Sequence, residues 1–165
     1  MALKPRVFVS YHHKSDQFYY EKFCKTFSGS YDILMDTSRE RALQTDKAEY
    51  LMHIIRKEYV ADSGCTIVLC GPHTPFRKYV DWEIDATLWE EHPLIGIKLP
   101  DLLVINDRCA KPERLQDNVD SGYAVWVWWE VLINKPTLLP GLIAEASAKP
   151  KSLIQNTRPR RMHND

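Results

Sequence analysis

The sequence carries no net charge, because 22 lysines and arginines balance 22 aspartates and glutamates over 165 residues. A balanced surface has no overall field to draw nucleic acid or an acidic membrane, so neither is expected as a partner. No stretch approaches the roughly 20 apolar residues of a spanning helix. MALKPRVFVSY runs straight into an apparent strand, so no secretory signal is expected. The four cysteines, Cys24, Cys65, Cys70 and Cys109, lack paired metal-type spacing, and no His/Cys/Asp/Glu spacing argues for zinc. They read as small buried hydrophobes in a reducing cytoplasm. Also missing are G-x-G-x-x-G, G-x-x-x-x-G-K and G-x-S-x-G. Their absence removes the dinucleotide turn, the P-loop and the hydrolase elbow. Any chemistry must rest on few groups.

What is present is alternation. Arg6 to Tyr11, Tyr31 to Met35, Cys65 to Cys70 and Leu94 to Leu99 are short apolar runs. They are too continuous for half-exposed strands and suit strands covered on both faces. Between them lie segments with helical spacing: Phe18, Tyr19, Phe23 and Phe27 behind a Ser15 or Asp16 cap, then Leu51, Ile54, Ile55 and Tyr59, then the stretch after Thr74-Pro75. Strand and helix in turn imply one doubly wound α/β domain with a parallel sheet and right-handed crossovers. The domain is expected over residues 1–150, with a variable part from about 101 and a flexible tail over 151–165. Within the variable part a short strand is expected at Leu102 to Ile105. Ala124 to Ile133 fits either a last strand or a buried helix turn.

The centre of the chain is Ser63 to Glu91. Taking about 100° per helical residue, Phe76, Tyr79, Val80, Ile84 and Thr87 share one face, and Glu83 falls among them. Asp81 and Asp85 point away. A carboxylate inside an apolar arc costs several kcal/mol unless it is paired or protonated, which makes Glu83 a site candidate. In open α/β sheets ligands bind beyond the C-terminal strand ends, where Ser10, Tyr11, His12 and Asp36 stand. His12 also reads as half of a solvated loop pair, and Asp36 as a turn cap.

R-V-F-V-S-Y-H-H, D-I-L-M-D, T-I-V-L-C-G and R-K-Y-V-D-W-E-I, in this order, resemble TIR and TIR-like domains. More closely they are similar to the signal-producing TIR-like component of the Thoeris anti-phage defence system. The resemblance covers Arg6 to Leu99 and fades beyond Pro100. It implies a flavodoxin-like fold and a glutamate, here Glu83, needed to cleave the nicotinamide–ribose bond of NAD. NAD is then substrate, no further cofactor is required, and an ADP-ribose-derived cyclic or conjugated product reaches a separate effector. Trp82 or Tyr11 is expected to stack on a base, with Ser10, His12 and Asp36 holding ribose or phosphate. Self-association is a further expectation, with Trp126, Trp128 and Trp129 as a wall or contact surface. The alternative is a non-catalytic module that recruits other TIR domains. The turn before the glutamate departs from many TIR domains, since Tyr79, Val80 and Trp82 occupy it.

Overall fold

The computed structural model describes residues 3–35 and 48–165. Five parallel strands, β1 (Arg6–Ser10), β2 (Asp32–Met35), β3 (Thr66–Cys70), β4 (Leu94–Lys98) and β5 (Val125–Trp128), form one sheet in the order β2-β1-β3-β4-β5. This is the flavodoxin-like order, and its switch point falls between β1 and β3. All five residues of β3 and of β4 are buried, so the unbroken apolar runs are strands covered on both sides.

The helices are α1 (His13–Phe27), α2 (Ala48–Ile54, widening into π-turns over Ile55–Val60), α3 (Lys78–Trp89), α4 (Glu113–Asp120), α5 (Trp129–Asn134) and α6 (Leu139–Ser147). Alternation along the strands divides the core. Val7, Val9, Ile67, Leu69, Ile95 and Ile97 pack with α1, α5 and α6 through Phe23, Leu132 and Leu139. Phe8, Val68 and Leu94 face the other way, toward α2, α3 and α4, through Ile55, Ile84 and Leu115. No helix among the described residues is long and apolar enough to cross a membrane.

Several local expectations change. Leu102 to Ile105 is not a strand: it enters a tight turn closed by an Ile105–Arg108 bridge, with Asn106 and Asp107 at positive φ. Asn and Asp tolerate that backbone, and the turn takes the hairpin form. Ala124 to Ile133 is both alternatives in succession, strand β5 and then helix α5. Helix α1 starts at His13, before the expected cap, and Phe18 is exposed while Phe23 and Phe27 are buried, because at about 100° per residue Phe18 lies on the side opposite Phe27. Of the three tryptophans, Trp129 is buried edge-on to Tyr19, Trp126 lies beneath the Lys111 ammonium, and only Trp128 is well exposed.

Residues 151–165 are the largest correction. They do not form a free tail but run along the outer side of α3, tied by Asn156 to Asp85, Arg158 to Asp117 and Arg161 to Asp81. Their partners lie roughly 40 to 80 residues away in sequence, so no local pattern announces them.

Gly96 in β4 sits directly across from Trp126 in β5. A Cβ there would come within 2.7 Å of the indole and 3.0 Å of Leu115. Gly96→Ala is therefore expected to cost about 1–3 kcal/mol by overpacking, read as a lower urea midpoint with an unchanged slope. A midpoint equal to that of the parent would show that the indole swings aside freely.

Candidate functional site

The C-terminal ends of β1 and β3 flank the switch point, and the polar residues collect there. Ser10 ends β1, and its fully buried Oγ has no hydrogen-bond partner among the described residues. His12 follows, buried, with its ring edge-on to His73 at 6.2 Å between centroids. Thr74 and Pro75 do begin a helical segment, but only a 3-10 turn, Thr74–Phe76. Arg77 is extended before α3 starts at Lys78.

Glu83 is 4% exposed on the sheet side of α3. The register of the helix is set one turn later. Thr87 Oγ1 lies 2.7 Å from the Glu83 carbonyl oxygen and 2.8 Å from Thr66 Oγ1. With one proton to give, Thr87 donates to the carbonyl and accepts from Thr66 in β3. An α/β crossover helix runs back against its strands, so a turn earlier in α3 is about two residues further along β3. That is the level of Val68, whose register partner in β1 is Ser10. Glu83 and Ser10 therefore meet the same face of the sheet at the same height, at the switch point.

The two aromatic candidates are differently placed. Tyr11 belongs to the core on the α1 side, its ring stacked on His13 and Tyr20 at 4.3 and 4.4 Å and its hydroxyl 2.7 Å from Gln17 Oε1. Trp82 is 3% exposed, edge-on to Tyr79, with its indole N–H donated to the Arg161 carbonyl at 2.7 Å. Both rings are packed as they stand, which leaves neither with an open face for a base. Asp36 lies outside the described residues.

Asp16, expected from the sequence as a helix cap, stands beside the loop that follows β3. Its side chain is fully buried in the first turn of α1, pressed against Gly71 at the end of β3. Thr74 Oγ1 is 3.3 Å from one carboxylate oxygen, while Oδ1 has no hydrogen-bond partner among the described residues. Burial, then the charge of Asp101, push the carboxyl up to about 6, against the opposing effects of Thr74 and His73. The clue in the sequence is an acid only six residues beyond Ser10, facing a glycine that closes the neighbouring strand.

A carboxyl raised in the folded state favours folding while protonated, and that contribution is lost as pH rises from the ordinary value toward and through about 6. Asp16→Asn removes the penalty of ionising it. The variant is expected to exceed the parent in stability by about 1–3 kcal/mol at pH 8, with the gain gone near pH 4. Urea titrations at the two pH values measure this, and equal midpoints at pH 8 would refute it.

Other groups offer little. Burial raises the Cys65 thiol to about 12 and Cys70 further, so neither is a nucleophile near neutrality. Among the described residues no His, Cys, Asp and Glu group could hold a metal. A cleft of about 650 Å³ lined by Lys4, Arg6, Cys24 and Asp32 lies at the start of β1 and β2, the end of the sheet opposite Ser10. Its charged groups are engaged, Arg6 with Asp32 and Lys4 with the Ser28 carbonyl, and burial raises the Cys24 thiol, so the switch point is the better site on chemical grounds.

No curated protein matches the chain. The family model described as Thoeris protein ThsB, TIR-like domain, matches residues 8–103, more than half the sequence and the whole of β3, α3 and β4. With a five-stranded parallel sheet in flavodoxin-like order and a buried glutamate on the helix after its third strand, the chain belongs to the Thoeris ThsB TIR-like domain family.

Proposed function

We propose that this Thoeris TIR-like protein cleaves the bond between nicotinamide and ribose in NAD and passes the ADP-ribosyl group to an acceptor, making a signal for a separate effector. The observation that carries the reading is Glu83, a buried carboxylate facing the sheet at the switch point, level with Ser10.

The chemistry asks little of the protein beyond charge. As the glycosidic bond lengthens, its electron pair moves into the pyridinium ring and nicotinamide leaves neutral, so no acid is needed at the leaving group. Positive charge develops on the ribose carbon and ring oxygen. An ionised Glu83 accepts hydrogen bonds from the ribose hydroxyls and stabilises that charge, as carboxylates do in glycoside cleavage. A buried setting strengthens the effect, because less water screens it. Ser10 Oγ has unused hydrogen-bonding capacity for a ribose or phosphate oxygen, and His12 is beside it. The acceptor then attacks the ribose carbon. Water gives ADP-ribose, whereas a nucleotide or amino-acid hydroxyl or amine gives a cyclic or conjugated product.

The test is NAD turnover by the purified protein, with and without lysate from phage-infected cells, followed by mass spectrometry beside Glu83→Gln. Release of nicotinamide that depends on Glu83 supports the enzyme, and the mass of the second product separates hydrolysis, cyclisation and conjugation. Turnover in neither condition would favour the alternative, a module that binds other TIR domains. One observation speaks for that reading: Leu103, Val104 and Ile105 are 72, 43 and 66% exposed in one loop, an apolar run of the kind found at contact surfaces.

A further inference from the structure

The outer face of α3 is covered by chain that lies beyond the family match. Arg114 in α4 is 1% exposed and uses all five of its N–H donors. Nε and Nη2 hold the two carboxylate oxygens of Asp81 at 2.9 and 3.3 Å. Nη1 reaches Asn156 Oδ1 at 2.6 Å and the Arg158 carbonyl at 2.9 Å, and Nη2 also reaches the Pro159 carbonyl at 3.1 Å. One guanidinium therefore joins α3 to the irregular segment 154–161.

That segment then bonds α3 directly. The Arg161 amide donates to Asp81 Oδ2 at 2.7 Å, and its carbonyl accepts from the Trp82 indole at 2.7 Å. Asn156 Nδ2 donates to Asp85 at 2.7 Å. At the start of the helix, the Lys78 amide donates to Asn164 Oδ1 at 2.8 Å and the Asp165 amide to the Phe76 carbonyl at 3.2 Å. With about 100° between successive residues, Lys78, Asp81 and Asp85 form one side of the helix, and Glu83 and Thr87 lie roughly opposite. The segment grips the back of the helix whose front carries Glu83, and the Thr87–Thr66 hydrogen bond ties that front to the sheet.

We propose that residues 154–165, clamped by Arg114, are a positioning element for Glu83, setting the axial rotation and depth of α3 against the sheet; the catalytic part of this rests on the NAD-cleaving reading above. A helix of 12 residues has little stability of its own. Misplacement of a reacting group by about 1 Å costs on the order of 10² in rate. The segment holds α3 and the turn before it through Phe76, Lys78, Asp81, Trp82 and Asp85, so the helix carries its effect to Glu83.

The test uses a chain ended at Pro159, which keeps every acceptor of Arg114 and removes the Arg161, Asn164 and Asp165 contacts, beside the full chain, Arg114→Lys and Glu83→Gln. Lysine keeps the charge but cannot reach five acceptors in a fork. Amide exchange over 78–87 is expected to quicken in the shortened chain and in Arg114→Lys while β3 and β4 stay protected. With the proteins assayed at a temperature where unfolding curves show them folded, kcat for NAD is expected to fall about tenfold or more with KM within about twofold. Unchanged exchange over 78–87 overturns the proposal whatever the activity. Faster exchange with unchanged kcat overturns the positioning role while leaving the NAD reading intact. If Glu83→Gln turns over NAD as fast as the full chain, the NAD reading fails instead, and the exchange result alone decides whether the segment sets α3.

Discussion

Glu83→Gln is expected to lower NAD turnover by about 10²–10⁴-fold, the usual worth of a carboxylate that acts on a developing charge. Glutamine keeps the volume and nearly the helix propensity of glutamate, so the packing of α3 has no reason to change. What disappears is the negative charge. The oxocarbenium-like charge exists only on the way to the transition state, so the loss belongs mostly to kcat, with KM moving far less. Glu83→Asp keeps the charge but withdraws it by one methylene from the sheet-facing position set by Thr87 and Thr66, and is expected to fall between parent and Gln. Initial rates over a range of NAD, with nicotinamide measured directly, decide it. Equal kcat in parent and Gln variants would remove Glu83 from the mechanism.

Arg114→Met is expected to cost about 3–5 kcal/mol of folding stability, the largest effect of any single change away from Glu83. Methionine fills much of the space, so the loss is not chiefly a cavity. Asp81 would remain buried with the Arg161 amide as its one partner among the described residues, and three acceptors on residues 156–159 would lose their donors. Asp81→Asn in the same chain relieves the unpaired charge. The double variant is therefore expected to lie above the sum of the two single losses, by a coupling of about 1–3 kcal/mol. Urea unfolding of the four proteins gives the cycle. A single-variant loss below about 1 kcal/mol would mean that water replaces the guanidinium at little cost.

The parts of the fold set by local pattern were legible. β3 and β4 announce themselves as uninterrupted apolar runs, and the helix between them buries Glu83, Val80, Ile84 and Thr87 as the spacing predicts, while Tyr79 is only half-buried and Phe76, expected on the same face, is exposed in the 3-10 turn before the helix. Legibility failed wherever a distant partner decides the outcome. Asp81 looked solvent-facing because its cover comes from Arg114 and Arg161, far along the chain. Asp16 looked like a cap because the glycine and threonine against it belong to the loop after β3. Residues 151–165 were expected as a flexible tail; Arg158 finds its carboxylates, Glu113 and Asp117, on α4, and the backbone amide of Arg161 finds Asp81 on α3. Trp82 was expected to meet a ligand, but its donor is spent on the backbone of residue 161.

The boundary of the family match, at residue 103, does not coincide with a boundary of the folded unit. β5 supplies the final edge of the sheet, and Tyr123 donates to the His92 carbonyl at 2.6 Å from beyond that limit. A fragment cut at 103 would expose the backbone edge of β4, an invitation to pair with other chains, and would strand Asp81 without its arginine. The recognisable half of this protein is thus not a portable module. Transplanting its glutamate helix into another scaffold, or exchanging it with that of a relative, requires the later residues to travel with it.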